Sequence, residues 1–405
     1  MNGSVFITRV VLKNYKSIAN CSVQLRPLVF LVGPNGTGKS NFLDALRLVT
    51  ESLNSSLDHA LRERGGINEV RQRSSGHPTH FGIRLDFALP DSVFGHHAFR
   101  VGAKPKGGFE VQQEECRIYA CDALGEDIFY SVNSGQVEDS NPKPLPPAAD
   151  DRLFLVAASS RPEFRPLYDR LTRMGFYSLN PDEIRDLQPP DAGDLLLRDG
   201  SNLASVLNLL SVESPAAKQQ VVELLSKVVP GVVDVAARHI GNKETLEFRQ
   251  KVGENDAPWR FLAENMSDGT LRALGVLTAL FQSSNGGVGK KVPLIGIEEP
   301  EVALHPGAAG VLRDGLAAAS RRTQVIVTSH SPDLLDDKSI SDENILAVNS
   351  KNGQTIIGPV DAAGRSSIRD RLFTAGELLR LSQLAPDPEE VDSIPEAQLE
   401  LFGKR

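Results

Sequence analysis

Cysteine is scarce. The 405 residues hold three, Cys21, Cys116 and Cys121, at spacings that suit neither a metal site nor a disulfide framework. That excludes a stapled secreted scaffold and points to a reducing compartment, the cytoplasm. Long apolar runs are missing too. None approaches the roughly 20 residues of a membrane span, and Met1-Asn2-Gly3-Ser4 opens no signal peptide, so no membrane partner is expected. Nor is there a surplus of positive charge. A net charge of −8 excludes a globally basic nucleic-acid binder while leaving room for a local patch. Internal repeats are absent, and so are heptads long enough for a coiled coil. What is left, 40% hydrophobic and 24% charged, is ordinary globular material, enough for two or three lobes around a large core.

Against that background one stretch stands out. Gly33-Pro34-Asn35-Gly36-Thr37-Gly38-Lys39-Ser40 fits G-x-x-x-x-G-K-[ST], a phosphate-binding loop. Leu28–Val32 before it is an unbroken apolar run, as a strand buried on both faces requires. After it, Phe42, Ala45, Leu46 and Val49 recur at i, i+3, i+4, i+7, one face of a helix. Strand, glycine-rich turn and helix N-terminus together aim backbone N–H groups and a positive dipole end at an anion. The glycines let the main chain come close. Asn35, Gly36, Thr37, Gly38 and Asn41 would form the cradle, Lys39 would reach the β- and γ-phosphates, and Ser40 would hold Mg²⁺. The expected ligands are ATP and Mg²⁺.

Taken in order, residues 5–11 read as a strand, and a second strand leads into the phosphate loop, whose helix runs to about Leu53. Leu61 to His80, with Arg62, Arg64, Arg71 and Arg73 around Gly65-Gly66, reads as a mobile basic loop, either solvated or laid on a phosphate backbone. From Phe81 the apolar period falls to two, through Ile83, Leu85, Phe87, Phe99, Val101, Phe109 and Val111, the mark of antiparallel strands. Residues 134–150 read as a proline-rich surface loop, Leu153–Ala157 as a buried strand and 163–228 as mostly helical. Alternation returns over 231–262. Met266-Ser267-Asp268-Gly269-Thr270-Leu271-Arg272 then opens a long apolar helix. A helix is expected from about Pro306 to Arg321, and one strand and one helix (around Ile368–Leu384) after Gly353. The resulting division is 1–160 and 231–350 as two halves of one head, 161–230 as a helical lobe, 351–384 as a C-terminal strand and helix, and 385–405 as a flexible tail.

Acids at a strand end complete the constellation. Val292–Ile297 runs into Glu298-Glu299-Pro300-Glu301. Glu298 is placed to hold Mg²⁺ directly or through water, and Glu299, facing the other way, to polarise a water for in-line attack. His330 ends the next strand, Val325–Thr328, where it could hydrogen-bond the γ-phosphate or that water. With Lys39, Glu299 and His330 form the catalytic set. His77, His80, His96 and His97 are either a metal set or residues of a flexible loop.

These motifs carry a resemblance. Gly33–Ser40, Met266–Gly269, Ile297–Glu301, Leu304-His305-Pro306 and Thr328–Ser331 together resemble the ABC-type ATPase head of the SMC/RecF/OLD group, most closely its bacterial single-chain predicted AAA-family ATPases. Leu12–Ser17, Asn180–Arg185, Arg198–Leu203 and Leu372–Leu379 are similar to further motifs of that group. The resemblance implies an α/β P-loop NTPase with a mixed sheet, an antiparallel β lobe and an inserted helical lobe. It implies a homodimer that closes on ATP, in which Ser267, Asp268 and Gly269 of one copy cap the γ-phosphate on Lys39 of the other. His305 would lie on the loop crossing between sites, and Asn14, Lys16 and Ser17 near the base or ribose. It also implies work on DNA, in repair, maintenance or anti-phage defence, with an effector partner such as a nuclease. The alternatives are a transporter ATPase subunit and a nucleotide-sensing scaffold with little turnover. The sequence departs from the group in having Ser-Asp-Gly as its signature, no evident glutamine loop around Ala157–Arg161, and no zinc hook.

The tail ends Gln398-Leu399-Glu400-Leu401-Phe402, after a polar stretch. It resembles the pentapeptide that binds the bacterial sliding clamp, with Leu401 and Phe402 as plug and Gln398 beside it. The other reading is a last helical turn folded back on the body.

Overall fold

The computed structural model describes residues 5–73, 78–120, 126–143, 145–253, 257–282, 291–392 and 395–403. The strands are β1 (Ile7–Tyr15), β2 (Ile18–Gln24), β3 (Leu28–Val32), β4 (His80–Leu89), β5 (Val93–Ala103), β6 (Phe109–Ile118), β7 (Ile128–Asn133) and β8 (Gln136–Asn141). Then come β9 (Gly175–Tyr177), β10 (Val232–Ile240), β11 (Lys243–Gln250), β12 (Trp259–Leu262), β13 (Leu294–Glu298), β14 (Gln324–Ser329), β15 (Ile345–Lys351) and β16 (Gln354–Pro359). They form three sheets: an antiparallel one in the order β2-β1-β4-β5-β6-β7-β8, a small one β10-β11-β12, and a central one β16-β15-β3-β14-β13-β9. The expected α/β mixed-sheet head with an antiparallel lobe is what the chain forms.

The central sheet is parallel from β15 to β9, with β16 as an antiparallel edge. β3 at its centre is apolar without a break because both its faces are covered. Side chains alternate between two cores: Val29 and Leu31 of β3 join the antiparallel sheet's core, and Phe30 and Val32 the helical one. Ile326 of β14 faces the first core, while Val325 and Val327 face the second. The loop helix (Lys39–Asn54) fills the space between the two large sheets with Phe42, Ala45, Leu46 and Val49, the stripe its spacing predicts. On the other side the helices Leu203–Glu213, Pro215–Val228, Asp268–Phe281 and Ala309–Ala319 pack the second core.

Several expectations need correction. The strand entering the phosphate loop is the third, because β1 turns at Tyr15–Ile18 into the hairpin partner β2. Leu153–Ala157 is not a strand. Residues Leu155–Ala158 are helical, and the buried carboxylate of Glu114 accepts the N–H groups of Phe154 and Leu155, supplying what a strand partner would have. Residues 134–150 include β8, and the stretch 163–228 contains β9 and an irregular run between Arg185 and Leu203. The single helix around Ile368–Leu384 is two, Ala362–Arg369 and Ala375–Arg380, separated by Arg371 at φ 57°.

The basic stretch 61–80 is not a free loop where it is described. It carries the helices Leu57–Arg62 and Ile67–Val70, Arg64 is buried in ion pairs with Asp44 and Glu51, and Arg62 and Arg73 pair with Asp58 and Glu69. His77 lies outside the described residues. His80, His96 and His97 sit on β4 and β5; His96 bonds Glu115 and Tyr119, and His97 bonds Glu114. No group of three or more metal-ligating side chains exists among the described residues. Nor does any described helix have the length and apolarity to cross a membrane.

The tail folds back. Leu401 is 3% exposed against the antiparallel sheet, where its Cδ1 takes the space a side chain at Gly82 would fill. The flexible leash and free plug are thus replaced by the folded-back alternative.

Candidate functional site

The C-terminal ends of β3, β13 and β14 lie side by side, the place where open parallel sheets bind ligands. The phosphate loop leaves β3, Glu298 and Glu299 leave β13, and Ser329 and His330 leave β14.

The loop is braced from behind. Gly38 caps the helix start at φ 98°, and a Cβ there would lie 2.0 Å from Thr355 Oγ1 and 2.8 Å from Ser17 Oγ. Only glycine meets both demands. Thr355 Oγ1 donates to the Thr37 carbonyl (2.7 Å) and contacts Ser17 Oγ (2.6 Å), which in turn accepts from Asn41 Nδ2 (2.7 Å). Ser17 and Asn41 therefore position the loop rather than face its open side, and Thr355, which no local motif marks, is a member the sequence reading missed. Gly36, at φ 76°, has open space over it. Lys39 lies beneath, its Nζ donating to the carbonyls of Gly33 (2.8 Å) and Pro34 (2.9 Å). Burial lowers its pKa, opposed by the carboxylates of Glu299 and Glu301, so both acids are within electrostatic reach of it. Ser40 and Asn35 are exposed at the mouth.

Asn14 and Lys16 take positive φ in the β1–β2 turn. Lys16 Nζ pairs with Asp44 Oδ2 at 2.5 Å on the second turn of the loop helix. Its charge is thus already partnered by the loop helix.

The acids divide by environment. Glu298 Oε1 accepts from Arg198 Nη2 at 3.1 Å. Glu299 has φ 43°, held by its N–H to Thr328 O (3.0 Å) and Oγ1 (3.2 Å), and this turn sends it away from Glu298. Its Oε1 meets His330 Nδ1 at 3.2 Å. Glu301, given no separate role by its sequence, is the one with an enclosed carboxylate oxygen. Burial raises its pKa, its Oε1 accepts from Ser329 Oγ (2.6 Å) and His330 N (3.3 Å), and its Oε2 is buried with no partner. It fixes the backbone that carries His330.

Ser267 is the N-cap of Asp268–Phe281, accepting from Thr270 N at 3.3 Å. Asp268 is exposed and paired with Arg185, and a Cβ at Gly269 would lie 2.5 Å from Ala303 O, so the signature turn sits directly on the Glu301–His305 loop. One turn on, Arg272 feels Glu299 and Glu301, which oppose the lowering of its pKa by burial. His305 Nδ1 caps the following turn at Gly307 N (3.1 Å). No glutamine loop follows 153–157. The strand beside β13 is β9, which leads to Asn180, and the segment after it supplies Arg185 and Arg198, the partners of Asp268 and Glu298.

The residues present fit Mg²⁺ and a nucleotide: an exposed hydroxyl, a strand-end carboxylate and a glycine cradle with open space above it.

Two family models match: "AAA ATPase domain" over residues 6–134 and "AAA domain, putative AbiEii toxin, Type IV TA system" over residues 180–336. The OLD nuclease of Thermus scotoductus is 22% identical over 347 residues, covering 82% of this chain; the chain spans 60% of that relative's length. The SMC head solved with the C-terminal winged-helix domain of ScpA superposes with a TM-score of 0.56 at 14% identity, over 89% of this chain and 99% of that one. A Pyrococcus furiosus SMC head with an extended coiled coil, bound to the C-terminal domain of ScpA, gives 0.52 at 12%, over 91% and 99%. The chain has the SMC-head fold, and the matches together support an ATPase head of the SMC/RecF/OLD-like type.

Proposed function

We propose that this chain binds and hydrolyses ATP, and that ATP closes two copies head to head as a switch in DNA repair, maintenance or anti-phage defence, acting with an effector such as a nuclease. The observation that carries the reading is the Glu299–His330 contact at 3.2 Å, with the buried Lys39 ammonium in the field of Glu299. Glu299 is the base: its carboxylate takes the proton of the attacking water. With Glu299 ionised, the Nδ1–H of His330 donates to it and holds its orientation. Lys39 contributes positive charge at the β- and γ-phosphates. Ser40 and Glu298 would hold Mg²⁺, which supplies charge neutralisation on the phosphates. Arg198 competes for Glu298. Ser267 and Gly269 of the second copy are presented on a capped helix N-terminus, ready for an anion.

The test is Glu299→Gln with ATP and Mg²⁺, read by phosphate release and by light scattering. Turnover should vanish while a dimer accumulates. Turnover at the parent rate removes Glu299 from the base role, and a variant that stays monomeric with bound ATP removes the closing step.

A further inference from the structure

The turn that faces the other copy's phosphate in the reading above carries an acid between its two anion-directed residues. Asp268 stands between Ser267 and Gly269, at the first position of the helix Asp268–Phe281, with its side chain exposed. A carboxylate suits a helix N-terminus left to itself. It repels a triphosphate brought to the same place, because like charges a few ångströms apart oppose association.

The chain brings a positive charge to that acid from another element. Among the described residues Arg185 is the ion-pair partner of Asp268, its Nη2 donating to Oδ1. Its delivery is built into the packing. Asn180 caps the short helix Pro181–Arg185 by accepting from Asp182 N. The buried side chains of Leu179 and Ile184 then seat against the signature helix at Gly275, where a Cβ would lie 2.9 Å and 3.3 Å from their Cδ1 atoms. Gly275 lies about two turns along that helix from Asp268, on the same face, so the residue after Ile184 reaches the helix start. Arg185 also holds Asp182, whose side chain is open to water, and its planar guanidinium is thus fixed from two sides. Arg272, one turn into the helix, lies in the field of Asp268 but forms no hydrogen bond with it among the described residues. The compensating bond is that of Arg185.

We propose that Arg185 is a positioning residue of the partner copy's site: by bonding Asp268 it cancels the acid of the signature turn and lets that turn receive the γ-phosphate bound to the other chain. The inference rests on the head-to-head reading above. Closure of the full-length chain is measured by analytical ultracentrifugation with Mg²⁺ and adenosine 5′-(3-thiotriphosphate), a slowly hydrolysed ATP analogue. Arg185→Gln should raise the dimer dissociation constant about tenfold, from one bare acid at each of two sites. The defect should shrink between about 0.05 and 0.5 M sodium chloride, as a screened repulsion does. Arg185→Lys keeps the charge and should close within about threefold of the parent. Asp268→Asn added to Arg185→Gln removes the acid along with its partner and should return closure to within about twofold of the parent; a residue needed only for packing would not be rescued in this way. Arg185→Gln closing as tightly as the parent, or a double variant no better than Arg185→Gln, overturns the inference and leaves the head-to-head reading standing. A parent that stays single with the analogue removes both. Should Arg185→Gln fail to fold by circular dichroism, Asp268→Asn alone decides. Closure at least as tight as the parent's supports the proposal, and weaker closure shows that the acid itself is needed and overturns it.

Discussion

Replacing Asp44 by alanine should be among the costliest single changes outside the site itself. The carboxylate is 8% exposed and meets Tyr15 OH at 2.8 Å, Arg47 Nη2 at 2.6 Å, Arg64 Nε at 3.0 Å and Lys16 Nζ at 2.5 Å. Burial works against its charge, yet Arg64, Lys16 and Arg47 outweigh it and hold the carboxyl well below the usual range. Removing one partner of a buried pair costs about 3–5 kcal/mol, because a charge is left stranded. The Arg64 side chain, 2% exposed, keeps Glu51 through Nη1 at 2.6 Å, which argues for the lower end, about 3 kcal/mol. Against a total stability of about 5–15 kcal/mol this is a large fraction. Urea denaturation followed by circular dichroism measures it. Arg64→Met added to Asp44→Ala should recover about 2 kcal/mol of the summed single losses, since the stranded charge is gone. The pH dependence has a fixed sign. Asp44's pKa is depressed on folding, so its contribution is whole above its ordinary 3.8 and drains as the pH falls below that. Parent and variant curves should therefore converge only in strong acid. A loss under about 1 kcal/mol at neutral pH, or strict additivity with Arg64→Met, refutes the reasoning.

Gly38→Ala should cost about 2–4 kcal/mol, from a side chain at φ 98° and from pushing Thr355 and Ser17 apart, and should weaken nucleotide binding by more than about tenfold; thermal melts and fluorescent-nucleotide titration read the two losses, and unchanged binding would show that the Ser17–Thr355–Thr37 brace does not shape the loop. Glu301→Ala should lose about 2–5 kcal/mol by leaving Ser329 Oγ and His330 N without their acceptor, whereas Glu301→Gln keeps that acceptor and should cost little at neutral pH. Glu301's pKa is raised on folding, so the parent's advantage over the glutamine variant is fullest below 4.5 and is lost as the pH rises through the raised value; denaturation midpoints across pH should show that slope, and equal losses for the two variants would refute it.

What was legible in the sequence is what recurs locally. The phosphate loop announces itself because glycine spacing, a flat apolar strand and a helical stripe fall within about 25 residues of one another. Glu298, Glu299 and His330 could be paired across the sheet because parallel strands of one type end at one edge. Leu153–Ala157 misled because a five-residue apolar run has no period to declare, and the deciding partner, Glu114, lies 40 residues from Phe154 on β6. β2 and β8 were missed for a different reason: IANCSVQ and QVEDSN hold few large apolar residues, so no alternation stands out.

The same distinction separates the two kinds of site residue. Lys39, Ser40 and Ser267 are placed by the backbone conformation of their own segment, which their neighbours in sequence specify. Thr355, Arg185 and Arg198 act on groups 318, 83 and 100 positions away. No single-segment pattern encodes such contacts; they exist because β16 lies beside the loop strand's neighbour β15, and because the chain after β9 returns across the ends of β13 and the signature helix. Ser17 shows how the two combine. Its own motif sets it in the turn beside the phosphate loop, and Thr355, arriving from the far end of the chain, engages its hydroxyl and makes it part of the brace behind Gly38.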